Sequence, residues 1–256
     1  MMLCKVRRQD KTERGNSGIM TELPVNKIIC GDCLTVMKDW PDKCVDLILT
    51  DPPYFLPAQH YQTRTRFKRN FSDLGILEHW IRDLVDILGR IVKPSGYIYM
   101  FCDGQSYPLF YYHLYQIVKS IRPLIWDKVV SINGYGWRHQ HEFIIFSEMP
   151  EAKPIPTGDG DILKYNAVPV ELRKHPAEKP INLLQYILQK HNGIVCDPMC
   201  GSGSVLVAAK QLSRDFIGID ISPEYCSITE MRLKAVETGV SVAEQKAGQK
   251  GLFEND

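Results

Sequence analysis

Short unbroken runs of aliphatic residues alternate along the chain with longer stretches in which apolar residues return every three or four positions. The runs at 27–30, 45–50, 97–102, 194–196 and 216–219 have the length and β-branched content of strands. The stretches between them predict helices over 34–40, 73–92, 105–120, 181–191, 205–212 and 223–236. The second of these is carried by Leu74, Leu77, Ile81, Leu84, Leu88 and Ile91 at helical spacing, behind a capping Ser72 or Asp73. Val45 to Thr50 has no polar residue but Asp46 before its final threonine, the pattern of a parallel strand covered on both faces. The runs 124–132 and 142–147 predict a closing antiparallel pair, joined by a loop that holds Asn133, Trp137, Arg138 and His139. Strand and helix in turn give an α/β fold. Breaks in the pattern set the boundaries: a polar lead over 1–22, a break at Lys93-Pro94-Ser95-Gly96, a Pro- and Gly-rich excursion over 148–174, and a polar tail from Gly239.

Composition changes this picture little. At 256 residues the chain has room for one α/β domain of ordinary size, and 44% hydrophobic with 24% charged residues is the balance of a globular protein. No apolar run approaches the roughly 18 residues of a membrane span, and the N-terminus is too polar for a signal peptide, so a cytoplasmic location is expected. Eight cysteines without a secretory signal are expected as free thiols. Cys30-x-x-Cys33 and Cys196-x-x-x-Cys200 have spacings that a four-thiolate zinc site could use, but both pairs fall inside strand-end motifs with another explanation, and no metal is expected.

The candidate chemistry lies where strands end. Val45 to Thr50 runs into Asp51-Pro52-Pro53-Tyr54, at the carboxyl edge where open α/β sheets bind ligands. Two prolines fix φ and remove two donors, leaving carbonyls free and holding Asp51 and Tyr54 stiffly. A carboxylate, a carbonyl and a flat ring together suit a planar amine, although a rigid strand-exit turn would use the same prolines. Later, strand 194–196 leads into Asp197-Pro198-Met199-Cys200-Gly201-Ser202-Gly203, a helix follows, and strand 216–219 ends at Asp220 with Ile221 after it. Glycines let a backbone approach a nucleotide-type cofactor, and an acid about 20 residues on accepts from a ribose diol. A nicotinamide site wants a third glycine where Leu206 stands, and Asp197 would repel a pyrophosphate. The same acid suits a cationic ligand such as S-adenosylmethionine. Between Phe55 and Phe71 lie Arg64, Arg66, Lys68 and Arg69 with Tyr61 and Phe67 and no acid, a composition for phosphates and bases as well as for a solvated loop.

The order Gly31-Asp32-Cys33, Asp51-Pro52-Pro53-Tyr54, Lys93-Pro94-Ser95-Gly96, His175-Pro176-Ala177-Glu178-Lys179-Pro180, then Asp197-Pro198-x-x-Gly201-Ser202-Gly203 resembles the permuted β-class S-adenosylmethionine-dependent DNA amino methyltransferases. The resemblance covers roughly residues 27 to 236. It implies a Rossmann-like methyltransferase fold: a mostly parallel seven-stranded sheet, helices on both faces, an antiparallel final pair and a circularly permuted motif order. One methyltransferase domain over 23–238 would comprise a catalytic half (27–147), the excursion (148–174) and a cofactor half (175–238). Asp51, Pro52, Pro53 and Tyr54 would be catalytic. Asp32, Cys33, Asp51, His175, Lys179, Pro180, Asp197, Pro198, Met199, Cys200, Gly201, Ser202, Gly203, Asp220 and Ile221 would surround S-adenosylmethionine, with Lys179 at its methionine side. Arg64, Arg66, Lys68, Arg69 and Arg138 would meet double-stranded DNA. Lys128, Trp137, Arg138 and Glu142 fall where the family has a further motif near its base pocket. Met199 and Ser204 stand where the family usually has Phe and Thr.

The resemblance further implies adenine N6 as the acceptor, since cytosine N4 enzymes usually carry Ser where Asp51 stands, and a base flipped from the duplex. Cytosine N4 stays open, as do RNA or protein glutamine as substrates and a catalytically silent nucleic-acid-binding module. Family members are often dimers, which carries a homodimer over as an expectation. A restriction partner, phage self-protection and regulation are all roles such an enzyme fills.

Overall fold

The computed structural model describes residues 22–54, 73–129, 137, 140–156, 158–172 and 177–239. In chain order the elements are β1 (Lys27–Cys30), α1 (Cys33–Lys38), β2 (Val45–Thr50), α2 (Leu74–Ile91), β3 (Val92–Cys102), α3 (Tyr107–Leu114), β4 (Ser120–Asp127), β5 (His141–Glu148), β6 (Ile162–Lys164), α4 (Ile181–Leu188), β7 (Val195–Asp197), α5 (Ser204–Gln211), β8 (Phe216–Asp220) and α6 (Pro223–Thr238). The strands form one sheet in the order β1-β8-β7-β2-β3-β5-β4-β6. The pairings β1 with β8, β8 with β7, β7 with β2 and β2 with β3 are all parallel, and β5 runs antiparallel to both β3 and β4.

The apolar run in β2 is explained by its two covered faces. Ile48 packs with Leu77, Ile81, Leu84 and Phe110 beneath α1, α2 and α3, while Leu47 and Leu49 join Leu183, Ile187 and Val205 beneath α4 and α5. Alternate side chains of a strand point to opposite faces, so a strand between two helical layers must be apolar at both. Asp46, the one interruption, is used at the far end of the strand, where its carboxylate accepts from Lys93 Nζ at 2.7 Å and from the Ile194 N–H at 2.9 Å. Asp73 starts α2 by accepting from the N–H groups of Gly75 and Ile76. Arg90 near its end binds the carbonyls of Met37 and Lys38, closing the last turn of α1.

Three expectations shift. Among the described residues the sheet has eight strands, because Ile162–Lys164 in the Pro- and Gly-rich excursion pairs in parallel with the outer edge of β4. Three residues flanked by glycine and acids carry too little periodicity to announce a strand, and the open edge supplies the partner. β3 starts at Val92 rather than Tyr97: the register passes from Val45↔Val92 to Leu47↔Tyr97, so the Lys93-Pro94-Ser95-Gly96 break is absorbed as a bulge. β4 lies earlier than expected, ending at Asp127. No helix among the described residues is long and apolar enough to cross a membrane.

Candidate active site

Five neighbouring parallel strands each release an acid at the same edge of the sheet: Asp32 after β1, Asp220 on β8, Asp197 on β7, Asp51 after β2 and Asp103 after β3. The first four line one cavity of about 320 Å³, and Asp103 instead accepts from the Ser106 N–H at 2.7 Å in the turn that leads into α3. A volume of this size is at the lower end of small-molecule sites. Thr50 Oγ1 donates to Asp197 Oδ1 at 2.8 Å, so the ends of β2 and β7 are tied directly together. The expected catalytic turn and the expected cofactor turn therefore share one pocket.

On the cofactor side, the chain turns sharply at Gly201 (φ +52°) and Gly203 (φ +80°), and a Cβ on Gly203 would overlap the Thr229 side chain of α6. Thr229 Oγ1 in turn donates to the Gly201 carbonyl at 3.0 Å. Leu206, where a dinucleotide fold has its third glycine, packs over Gly218, so the close approach of helix to sheet is kept with the glycine on the strand instead. Asp220 accepts from the Gly201 N–H at 2.9 Å and from the Ser222 N–H at 2.8 Å, which couples the end of β8 to the glycine turn. Asp197 is 3% exposed and accepts from the Met199 N–H as well as from Thr50. Burial pushes its carboxyl up to about 7; the two hydrogen bonds oppose this, and the charges of Asp51 and Asp220 add to it. A cationic group placed beside it would favour the ionised form.

On the other side, the Tyr54 hydroxyl donates to Asp51 Oδ1, and Lys179 Nζ lies 2.6 Å from Asp51 Oδ2. Lys179 also meets Glu142 Oε2 at 3.1 Å, and Glu142 Oε1 meets Lys128 Nζ at 2.6 Å. The ammonium sits 4.9 Å from the centre of the Phe101 ring. Burial and the Asp51 charge both push the Tyr54 phenol upward, so it stays a donor.

Of the expected site residues, Asp32, Cys33, Asp51, Pro52, Pro53, Tyr54, Lys179, Asp197, Pro198, Met199, Cys200, Gly201, Ser202, Asp220 and Ile221 line the pocket. Gly203 shapes the turn behind it, and Pro180 is buried at the start of α4. Lys179, expected at the methionine side, bonds to the Asp51 carboxylate. Asp32 also caps α1, its Oδ1 accepting from the Thr35 N–H at 2.9 Å. His175, Arg64, Arg66, Lys68, Arg69 and Arg138 lie outside the described residues, and Trp137 is fully exposed. The sequence reading missed Thr50, Trp80, Phe101 and Glu178 as lining residues. Arg232 of α6 was also missed: it bonds Glu178 Oε1 at 2.8 Å and the Ser202 carbonyl at 2.7 Å, clamping the Lys179 segment to the glycine turn. Contacts between residues so far apart in the chain leave no local signal. The seven described cysteines are free, and among the described residues no cluster of His, Cys, Asp or Glu is arranged to hold a metal ion.

A family model for N6/N4 methyltransferases, described as DNA methylase, matches residues 45–231. The chain is 31% identical to YubD of Escherichia coli (strain K12), a methylase candidate, over 91% of this chain and 97% of that one. It is 26% identical to the type II methyltransferase M.BglII of Bacillus subtilis, covering 80% of this chain and 68% of that one. The solved M1.HpyAVI–SAM complex superposes with a TM-score of 0.60 at 25% identity, over 81% of this chain and 98% of that one.

Proposed function

The chain belongs to the N6/N4 DNA methylase family and depends on S-adenosylmethionine, and on that premise we propose that it methylates the N6 amine of adenine in double-stranded DNA, on a base turned out of the helix. The observation that carries the proposal is the opening of Asp51 with Tyr54, and of Asp197 with Asp220, onto the same cavity. An amine acceptor and a cofactor cradle must share a space for a methyl group to pass directly between them.

The pocket residues fit the cofactor, since Asp197 is a buried acid awaiting a cation and the glycine turn leaves backbone room beside it. When bound, S-adenosylmethionine supplies an electrophilic methyl group on a sulfonium. Asp197 would face its positively charged methionine end, and Asp220 would accept from its ribose hydroxyls. Tyr54 stacks on the base. Asp51 and the Pro52 carbonyl accept the amine hydrogens, drawing the nitrogen toward a tetrahedral geometry whose lone pair can attack in line. Asp51 acts as an orienting acceptor, and Asp51 at this position supports adenine over cytosine.

Incubation with methyl-labelled cofactor and DNA, followed by nucleoside analysis, tests the reading. Label is expected in 6-methyladenine; 4-methylcytosine would move the base, and label in RNA or in protein glutamine alone would overturn the assignment. Asp51→Ala should abolish transfer while cofactor binding stays measurable.

A further inference from the structure

Lys179 is 7% exposed, and a buried ammonium is stable only when its charge is met at close range. Two carboxylates meet it, from Asp51 after β2 and from Glu142 on β5, and Lys128 completes an alternating chain of cation and anion. Neither Glu142 nor Lys128 is part of the pocket lining, so both act on the pocket through Lys179. With one Asp51 oxygen taken by the ammonium, the other is held by the Tyr54 hydroxyl, which stands where an incoming amine must bond.

We propose that Glu142, backed by Lys128, is a positioning residue for methyl transfer: it keeps Lys179 charged and fixed on Asp51 Oδ2, so that Oδ1 is the oxygen offered to the target amine in place of the Tyr54 hydroxyl. The proposal rests on the function assigned above to Asp51. During transfer the amine lone pair forms the new N–C bond, the S–C bonding pair stays on sulfur, and the methylated nitrogen must lose one proton. If that proton passes to Asp51, the carboxylate is neutralised, and Lys179 would be left uncompensated without a second anion. Glu142 is that second anion, and it holds Lys179 in place until the proton has gone. The charges bear this out: burial alone would lower the lysine, and Asp51 and Glu142 together overcome it and hold the ammonium above its ordinary range. Burial works to raise Glu142, and Lys179 and Lys128 hold it below the usual carboxylate value. The other groups facing this cluster leave that balance in place. Cys102 on β3 is a thiol pushed upward by burial, Tyr54 remains a neutral phenol, and Asp197 on β7, whose charge reaches Asp51 and whose carboxyl is pushed up to about 7, is already ionised where the alkaline limb is read.

The test is the pH profile of methyl transfer to DNA. In Glu142→Gln the lysine keeps a hydrogen-bond acceptor but loses a charge, so the alkaline limb of kcat/KM should move at least one pH unit lower. The rate at pH 8 should fall about 100-fold, the scale of a displaced catalytic group, with cofactor affinity within about threefold by calorimetry. Glu142→Asp should restore the limb. Lys128→Met frees Glu142 Oε1, so the rate at pH 8 should fall several-fold while the limb stays in place or moves higher, and this split carries the test if Glu142→Gln does not fold. An unmoved limb in Glu142→Gln, or an unchanged rate or a lowered limb in Lys128→Met, overturns the proposal. Failure of the wild-type protein to methylate DNA would instead overturn the function on which it rests.

Discussion

At the end of β2, Asp51 shares its charge with the Lys179 ammonium and the Tyr54 hydroxyl, whereas at the end of the adjacent β7, Asp197 is met by one hydroxyl and one backbone N–H. Two aspartates in one pocket thus have opposite partners. The acceptor side carries its own cation, held by a second acid. The cofactor side has acids and backbone donors but, among the described residues, no cation on Asp197, and burial lifts that carboxyl toward neutrality. A site built this way is completed by a ligand that brings positive charge, as a sulfonium with an ammonium does. The difference also separates what each aspartate can do: one is ready to accept a hydrogen bond from a neutral amine, the other to bind a cation.

Exchanging each acid for its amide is the strongest way to break the comparison. Asp51→Asn should lower methyl transfer by about 100- to 1,000-fold, a loss typical of a group acting in the transition state, and leave cofactor affinity within a few fold. Asp197→Asn should do the reverse in first effect, weakening cofactor binding by about 100-fold, the order of a lost charge-assisted contact. Transfer at saturating cofactor should be much less affected. Calorimetry beside a single-turnover assay separates them, and equal losses of binding in both variants would dissolve the division.

A smaller effect tests the scaffold of the cofactor side alone. Gly203→Ala places a Cβ on Thr229 at a backbone angle that disfavours any side chain. It should destabilise the fold by about 1–3 kcal/mol in chemical denaturation. Pairing it with Thr229→Ser, which removes the clashing methyl and keeps the hydroxyl on Gly201, should recover part of that loss. No recovery would mean that backbone strain rather than overlap sets the cost.

pH sharpens the contrast by a further step. Asp197 ionises near 7 when folded and near 3.8 when unfolded, so its contribution to stability is full below 3.8 and is lost as pH rises through 7. His191, buried and pushed down to about 4, works the other way: its contribution is present above its unfolded value of 6.5 and lost as pH falls. Between 4 and 6.5 the two slopes oppose each other, and the melting temperature of the free protein is a poor readout. The cofactor's stabilising increment is a clean one. Below pH 7 a cationic ligand must expel a proton from Asp197, so affinity should fall toward about tenfold per pH unit. Thermal melts with and without cofactor from pH 5.5 to 7 should therefore show a shift that grows with pH; a constant shift would place the ligand's charge elsewhere.

The Asp51 wall of the pocket was legible in the sequence because it is local: Asp51, two prolines and Tyr54 are contiguous, and the apolar run before them announces a strand covered on both faces. The glycine turn and Asp220 were legible for the same reason. What stayed hidden joins distant residues. Lys179 and Asp51 are 128 positions apart, and nothing near either predicts that they pair. Leu206 argued against a nicotinamide site, but nothing near it announces that Gly218 lies beneath it and keeps the helix close to the sheet from the neighbouring strand. β6 was missed because an edge strand can be recruited by its neighbour with little pattern of its own.

Asp32 tests the same contrast at its finest grain, because it is an acid of the cofactor side that has already found local work. Its Oδ1 accepts from the Thr35 N–H and hydroxyl and so starts α1, yet the residue also lines the pocket. Asn caps a helix about as well as Asp, whereas Ala removes the acceptor. If capping is the role, Asp32→Ala should cost about 1 kcal/mol of stability and Asp32→Asn only a few tenths. Cofactor affinity should then change by less than about threefold in the amide, a difference well under 1 kcal/mol. If instead the amide loses as much affinity as the alanine while keeping its stability, the carboxylate belongs with Asp197 and Asp220 as a charge held for the ligand. The acid edge of the sheet would then be a binding device along its whole cofactor side.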